Sequence, residues 1–201
     1  MTALTDNGGS RILNYKLYVD DGDASQENWS VVTSYSGLAL SFVVDKANEP
    51  SLERGKIYRF RISAVNVIGE GPVSNNVRVA LSEPVLKPDP VTINRELSSI
   101  DSLFVEWAES TPGDIPLTGY RLYMIQKGTG VEQIIYDGSL NPLNKRFWVQ
   151  DLEQGLYYAF YVVAIDFNGE SNPSDETVAV VCVTPGHLES PKMISTSLTS
   201  I

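Results

Sequence analysis

Apolar and polar residues alternate along several short stretches of this chain. Between Tyr58 and Ala64 every second side chain is apolar, and the same alternation occurs over residues 103–107 and 120–124. A period of two places the apolar side chains on one face, as in a half-buried strand. Turn-forming clusters such as residues 20–23 separate the stretches, and no apolar rhythm at helical spacing is sustained. The pattern therefore predicts an all-β protein of the β-sandwich type.

The chain also contains an internal repeat. The motif Leu-Glu-x-Gly-x-x-Tyr occurs at residues 52–58 and again at 152–158, and residues 191–201 match residues 90–100 at five positions. A fixed period of about 100 residues indicates an array of small domains. The first repeat has no counterpart of the opening residues, so we expect the chain to be a window on a longer array. The predicted units are an N-terminally incomplete domain at 1–83, a complete domain at 84–186, and the start of a third domain or a linker tail at 187–201.

Composition and charge narrow the classes of partner. The chain has 201 residues, a formal charge of −10 and only 15 basic residues, which are dispersed. Nucleic acid is therefore not an expected partner, because phosphates are neutralised by clustered Lys and Arg. No apolar run approaches the length of a membrane span, so we expect no membrane insertion by this chain. Cys182 is the only cysteine and excludes an intrachain disulfide, while Asn28 begins a triplet that fits the glycosylation pattern without deciding the compartment.

The two repeats contain a specific combination of motif residues. Trp107 ends one alternating stretch, and the Leu-Gly-Tyr motif precedes another. This combination resembles the fibronectin type III domain. The resemblance implies tandem seven-stranded immunoglobulin-like β-sandwiches, the first of which lacks its first two strands. It also implies a core position for Trp107, and turn and tyrosine-corner roles for Leu52, Gly55 and Tyr58 and for Leu152, Gly155 and Tyr158.

The residue types that carry catalysis or bind metals do not form a site. His187 is the only histidine, whereas a metal centre or a catalytic triad needs partners that this sequence does not place beside it. The carboxylates of residues 20–23 lack the spacing and the closing glutamate of an EF-hand loop, which favours a solvated hairpin loop. The sequence thus predicts no catalytic residue, no metal site, no cofactor and no enzymatic activity.

One predicted sheet face departs from the polar pattern of a solvated surface. If Tyr158 and its alternate neighbours face the core, then the intervening residues from Ala159 to Ile165 face outward, and most are apolar. A sheet that is covered on one side only should alternate, so this face is covered either by a protein partner or by loops and the adjacent domain. The candidate protein-binding residues on it are Tyr123, Ile125, Tyr161, Val163 and Val180.

These observations predict a non-catalytic structural and interaction module, a spacer with protein-binding domains from a larger adhesion, receptor or scaffold protein. Two alternatives remain open: an accessory module of a multidomain enzyme, and an intracellular scaffold array associated with the cytoskeleton. The expected location is extracellular or at the cell surface, with an intracellular cytoskeletal or ciliary scaffold as the alternative. Residues 188–201, as an unpaired opening strand, also predict head-to-tail self-association.

Overall fold

The computed structural model describes residues 7–182 and 188–192, which form strands and turns and no helix. The eleven strands, in chain order, are β1 (Asn14–Asp20), β2 (Trp29–Val31), β3 (Ile57–Val65), β4 (Val77–Ala80), β5 (Thr92–Asn94), β6 (Leu103–Glu106), β7 (Gly119–Gln126), β8 (Glu132–Gly138), β9 (Arg146–Val149), β10 (Tyr157–Ile165) and β11 (Thr177–Val180). The all-β fold predicted from the alternating pattern is confirmed.

The strands form three antiparallel sheets. Strands β1 to β4 form an N-terminal sheet in the order β2-β1-β3-β4. The remaining strands form two sheets, β11-β10-β7-β8 and β5-β6-β9, which we call the C-terminal sandwich. The register of β7 and β8 shifts at a bulge between Leu122 and Tyr123. The C-terminal sandwich thus has the seven strands and two layers of an immunoglobulin-like fold.

The core of the C-terminal sandwich lies between its two sheets. Phe160 and Val162 of β10 are fully buried there, and they face Leu103 and Val105 of β6. Trp107 is 5% exposed and lies 5.7 Å, centroid to centroid, from the ring of Tyr136. Aromatic rings at this separation interact favourably beyond their area of burial. The alternating stretches found in the sequence therefore supply both halves of this core.

The inner face of the N-terminal sheet is covered by irregular chain and not by a second sheet. Its inner face packs against Val32, Tyr35, Phe42 and Val44, which come from residues 32–52. This segment contains no strand, although it follows β2 as β9 follows β8. In the C-terminal sandwich β9 pairs only with β6, and the described residues before β1 contain no counterpart of β6. A strand is stable only when its backbone groups find a ladder partner, so this segment crosses the sheet as irregular chain.

The N-terminal sheet and the C-terminal sandwich meet at a junction rich in hydrogen bonds. The side-chain amide of Asn168 donates to the carbonyl oxygen of Ala80 at 2.9 Å and accepts from the Ala80 N–H at 2.9 Å. Glu83 N donates to Asp114 Oδ2 at 2.7 Å, and Arg54 forms an ion pair with Glu83. These contacts fix the end of β4 against two turns of the C-terminal sandwich.

Two sequence predictions fall largely beyond the described part of the chain. The predicted third unit, 187–201, lies outside the described residues except for 188–192, and His187 lies outside them as well. Within the ranges that are described, no helix is both long and apolar enough to cross a membrane.

Candidate protein-binding face

The sheet β11-β10-β7-β8 turns one face away from the core, and we call this its outer face. Cross-strand pairing brings Tyr161 opposite Tyr123, and Tyr123 opposite Ile134. The rings of Tyr123 and Tyr161 are stacked, with centroids 4.7 Å apart and planes 7° from parallel. Both rings are only partly exposed. Stacked tyrosines present a large rigid surface that loses little conformational entropy on binding.

Four of the five candidate residues reach the surface of this face. Tyr123, Ile125, Tyr161 and Val180 are partly exposed, whereas Val163 is 4% exposed and offers almost no area to a partner. The cross-strand neighbour of Val163 is Arg121. Opposed residues in a ladder stand close enough to touch, and the aliphatic stem of an arginine covers apolar surface. The sequence predicted that Val163 is exposed on this face, but its own sheet buries it.

Three apolar residues that sequence analysis did not select are more exposed than those it did. Tyr157 is 57% exposed, Val178 is 53% exposed and Ile134 is 51% exposed. Tyr157 pairs with Val180, on the adjacent strand. The parity of β10 was sufficient to place Tyr157 outward. Ile134 lies beside Tyr123 because of the bulge between β7 and β8. The alternation of apolar and polar residues in the sequence does not reveal this bulge.

Charged side chains surround this apolar patch. Arg121 forms ion pairs with Asp137, at 3.0 Å, and with Glu170. Lys127 forms another with Glu176 at 2.6 Å. Burial raises the pKa of Tyr161, and a hydrogen bond with Glu132 raises it further, so its hydroxyl stays neutral at physiological pH. An apolar aromatic centre with a charged rim is the common anatomy of a protein–protein interface.

The corresponding face of the N-terminal sheet is occupied by charged groups. Arg59 pairs with the buried carboxylate of Asp20 at 2.5 Å, and the guanidinium of Arg61 lies 3.8 Å from the ring centroid of Trp29. A carboxylate, that of Glu70, accepts a hydrogen bond from Ser63 at 2.6 Å. The carboxylates of Asp20 and Glu70 are thus paired within the sheet, whereas Nε of Arg61 and Nε1 of Trp29 are buried without a hydrogen-bond partner. The two repeats therefore differ on this face.

The Glu70 carboxylate binds three polar side chains at once. Lys16 Nζ lies 2.7 Å from it, and the hydroxyls of Ser63 and Tyr18 donate to it as well. The bond from Lys16 is the main cause of a lowered pKa, and the two hydroxyl bonds add to it, so that the pKa of Glu70 falls from 4.5 to about 2. This cluster orders one end of the N-terminal sheet.

The leucine, glycine and tyrosine to which turn and tyrosine-corner roles were assigned lie at equivalent places in both repeats. The Tyr58 hydroxyl accepts from Glu53 N at 2.7 Å, and the Tyr158 hydroxyl accepts from Glu153 N at 3.0 Å. Gly55 and Gly155 have φ values of 82° and 84°, in the left-handed region that favours glycine. The side chains of Leu52, Leu152 and Trp107 are buried. The leucine, glycine and tyrosine of each repeat hold the turn before β3 and the turn before β10, whereas Trp107 packs in the core of the C-terminal sandwich.

The described residues hold no cluster suited to a metal ion. Within residues 7–182 and 188–192 no group of three or more His, Cys, Asp or Glu side chains converges. The carboxylate of Asp21 accepts instead from the amide of Asn28 at 2.8 Å, and that of Asp23 accepts from Ser25 N at 2.8 Å. The acidic loop after β1 is thus tied by hydrogen bonds within itself.

Comparison with known proteins identifies the C-terminal sandwich. Residues 87–180 match the family model of the Fibronectin type III domain, and they include all seven strands of the C-terminal sandwich. A crystal structure of the FN1-FN3 domains of chicken CNTN1 superposes with a TM-score of 0.52 over 84% of this chain and 56% of that one, at 18% identity. That likeness shows a shared fold.

Several curated proteins are similar along most of the chain. Human myomesin-2 is 30% identical over 87% of this chain, and the chicken M-protein of striated muscle is 30% identical over 91% of it. Mouse neogenin is 26% identical over 84%. The chain spans only 12%, 12% and 11% of the lengths of these three relatives. None of the three names denotes an enzyme, which supports a non-catalytic interaction module.

Proposed function

We propose that this chain is a structural and protein-binding segment of a larger scaffold or adhesion protein, and that the outer face of the C-terminal sandwich is its contact surface. The N-terminal sheet and the sandwich act as consecutive spacer units in this proposal, with boundaries at 1–83, 84–186 and 187–201. The observation that carries it is the stacked, partly exposed pair Tyr123 and Tyr161, with Tyr157, Ile134 and Val178 around it.

The contrast between the two repeats supports this surface. On the N-terminal sheet the corresponding positions hold charges that neutralise one another, such as Arg59 and Asp20. On the C-terminal sandwich the position of Arg61 holds Tyr161 and that of Asp20 holds Ile125, and both side chains are partly exposed. The positions of Arg59 and Ser63 hold Ala159 and Val163, which are buried. Because exposed aromatic residues in a ring of charges are typical of binding hot spots, the partner is expected to be a protein with an apolar centre.

The cellular location of this segment is that of the larger protein to which it belongs. The names of myomesin-2 and of the M-protein of striated muscle favour an intracellular scaffold. The similarity to neogenin supports the cell-surface location that we expected first. A second copy of this chain, bound through residues 188–201, is a further proposed partner.

Site-specific photo-crosslinking tests the contact surface. A photoreactive phenylalanine analogue at Tyr157 should give discrete protein adducts in cells that express the parent protein, and Tyr161→Lys should abolish them. The control position is Trp148, which is 49% exposed on the other sheet of the sandwich. Adducts that form equally well from both positions, or that survive Tyr161→Lys in a folded chain, would contradict the proposed surface.

A further inference from the structure

The turn after β10 places an asparagine directly before a glycine, Asn168-Gly169, at the junction between the two repeats. Asparagine loses its side-chain amide most readily in this context, because glycine has no side chain to keep its backbone nitrogen away from the neighbouring amide. The equivalent residue of the first repeat is Ile68, which has no amide to lose. The chain contains one further pair of this kind, Asn7-Gly8, in the segment before β1.

Hydrogen bonds at the junction engage the groups that this reaction would use. Nδ2 of Asn168 donates to the carbonyl oxygen of Ala80, and Oδ1 accepts from the Ala80 N–H, both at 2.9 Å. The backbone N–H of Gly169 donates to Asp166 Oδ1 at 3.1 Å. Deamidation requires this nitrogen to lose its proton, and the adjacent carboxylate opposes that loss because a second negative charge would form beside the first. The closed junction therefore restrains both the nucleophile and the leaving group.

The backbone of Ala80 depends on the same amide. Ala80 ends β4, an edge strand of the N-terminal sheet. The next residue, Leu81, directs its backbone groups toward β3: its N–H donates to Lys56 O at 2.9 Å, and its carbonyl oxygen accepts from Gly55 N at 2.8 Å. Backbone groups of successive strand residues point to opposite sides, so those of Ala80 point away from β3. Ala80 is 3% exposed, and buried backbone groups need partners. Asn168 supplies a partner for both.

We propose that Asn168 is a deamidation site that the closed junction protects, and that its conversion loosens the junction irreversibly. The backbone nitrogen of Gly169 gives its proton to water and attacks Cγ of Asn168. A C–N bond forms and closes a succinimide ring, while the Cγ–Nδ2 bond breaks and Nδ2 takes up a proton from water and leaves as ammonia. Water then opens the ring at either carbonyl and leaves aspartate or isoaspartate at position 168.

The product cannot hold the junction as the amide does. A carboxylate accepts from the Ala80 N–H but has no hydrogen to donate, so the buried carbonyl oxygen of Ala80 loses its donor. The new charge also enters a cleft of about 240 Å³ that is lined by Asp166 and Glu170 as well as by Asn168. Like charges at such separations repel each other. Both effects favour the open junction.

Incubation of the full chain in mildly alkaline buffer, followed by peptide mass spectrometry, measures conversion at both Asn-Gly pairs in one sample. Asn168 should convert roughly tenfold or more slowly in the folded chain than in the chain unfolded by urea, the equivalent of about 1.4 kcal/mol of opening free energy. Asn7 is exposed and lies outside the strands, so folding should change its rate much less.

Two single substitutions loosen the junction without altering the reacting groups. Asp114→Ala removes the acceptor of the Glu83 N–H, and Arg54→Ala breaks the ion pair with Glu83. Either change should raise the rate at Asn168 and leave the rate at the N-terminal Asn-Gly pair unchanged. The control is Glu176→Ala, which breaks an ion pair with a lysine beside the start of β10 and should alter neither rate.

A matched pair of variants tests the consequence of the reaction. Asn168→Asp reproduces the product, and Asn7→Asp makes the same change beside Asn66, at the end of the N-terminal sheet that is remote from the junction. Spin labels at Val43 and Leu140, which are 73% and 93% exposed, report the distance between the repeats once the native cysteine is replaced by serine. The distance distribution should broaden in Asn168→Asp and remain unchanged in Asn7→Asp.

Three results would overturn the proposal. One is conversion of Asn168 at the same rate in the folded and the unfolded chain. Another is a rate that neither Asp114→Ala nor Arg54→Ala changes, because the junction would then not protect the amide. The third is an Asn168→Asp chain in which β10 keeps its hydrogen-exchange protection and the label distances match those of the unaltered chain, because the product would then leave the junction intact.

Discussion

Replacing Phe60 and Phe160 by alanine should affect the stability of the two repeats unequally. The two residues hold the same place in β3 and β10, but Phe160 is fully buried between two sheets, whereas Phe60 lines an open apolar groove on the inner face of the N-terminal sheet. Phe160→Ala leaves a cavity in a closed core and should lower the free energy of unfolding of the sandwich by about 3–5 kcal/mol. Phe60→Ala enlarges a space that is already open, so only the transfer of a partly exposed ring is lost, about 1–2 kcal/mol.

Hydrogen exchange followed by mass spectrometry can measure the two effects in one chain. Peptides that contain β10 report on the sandwich, and peptides that contain β3 report on the N-terminal sheet. The experiment uses dilute protein, so that association between copies does not change the exposure of either strand. Equal losses of protection in the two variants would show that the inner face of the N-terminal sheet is closed in solution, and would refute the reasoning from exposure.

Two further predictions concern hydrogen bonds described above. Tyr158→Phe removes the acceptor of the Glu153 N–H and should lower the stability of the sandwich by about 1 kcal/mol, or the midpoint of its thermal unfolding by ~4–8 °C; an unchanged midpoint would mean that water replaces the hydroxyl without cost. Because the pKa of Glu70 is lowered to about 2, the stability that this carboxylate contributes should be complete above pH 4.5 and lost as the pH falls toward 2. Glu70→Gln should flatten the decline in β3 exchange protection over that interval, and an identical acid profile in both proteins would exclude this role.

The sequence was sufficient to predict the strands whose alternation coincides with a repeated motif. Strands β3 and β10 follow from the alternation that begins at Tyr58 and at Tyr158, because the repeat supplies each prediction twice. The irregular path of residues 32–52 could not be predicted in this way. Whether that segment becomes a strand depends on a ladder partner from another part of the chain, and local composition does not contain that information.

The sequence predicted only part of the candidate face, again because pairing between strands decides the outcome. Parity along β10 places Tyr161 outward, but exposure depends on the neighbouring strand. The side chain opposite Val163 is Arg121, which shields it, and the register shift after Leu122 places Ile134 beside Tyr123. Register and bulges arise from pairing between strands, so the alternation within one strand gives the face of a residue and not its accessibility.

At the junction, the side-chain amide of Asn168 forms the pair of hydrogen bonds that a neighbouring strand would otherwise supply. The side-chain amide bonds both backbone groups of Ala80, and the backbone N–H of Asn168 donates to Asp166 Oδ1 at 2.7 Å. Bending the two repeats against each other breaks both hydrogen bonds together, so the joint resists bending. The matching residue of the first repeat is Ile68, which is 87% exposed and has no amide to offer. Asn168 therefore contributes to the stiffness of this joint together with the hydrogen bond from Glu83 N to Asp114, and its substitution should make the joint more flexible.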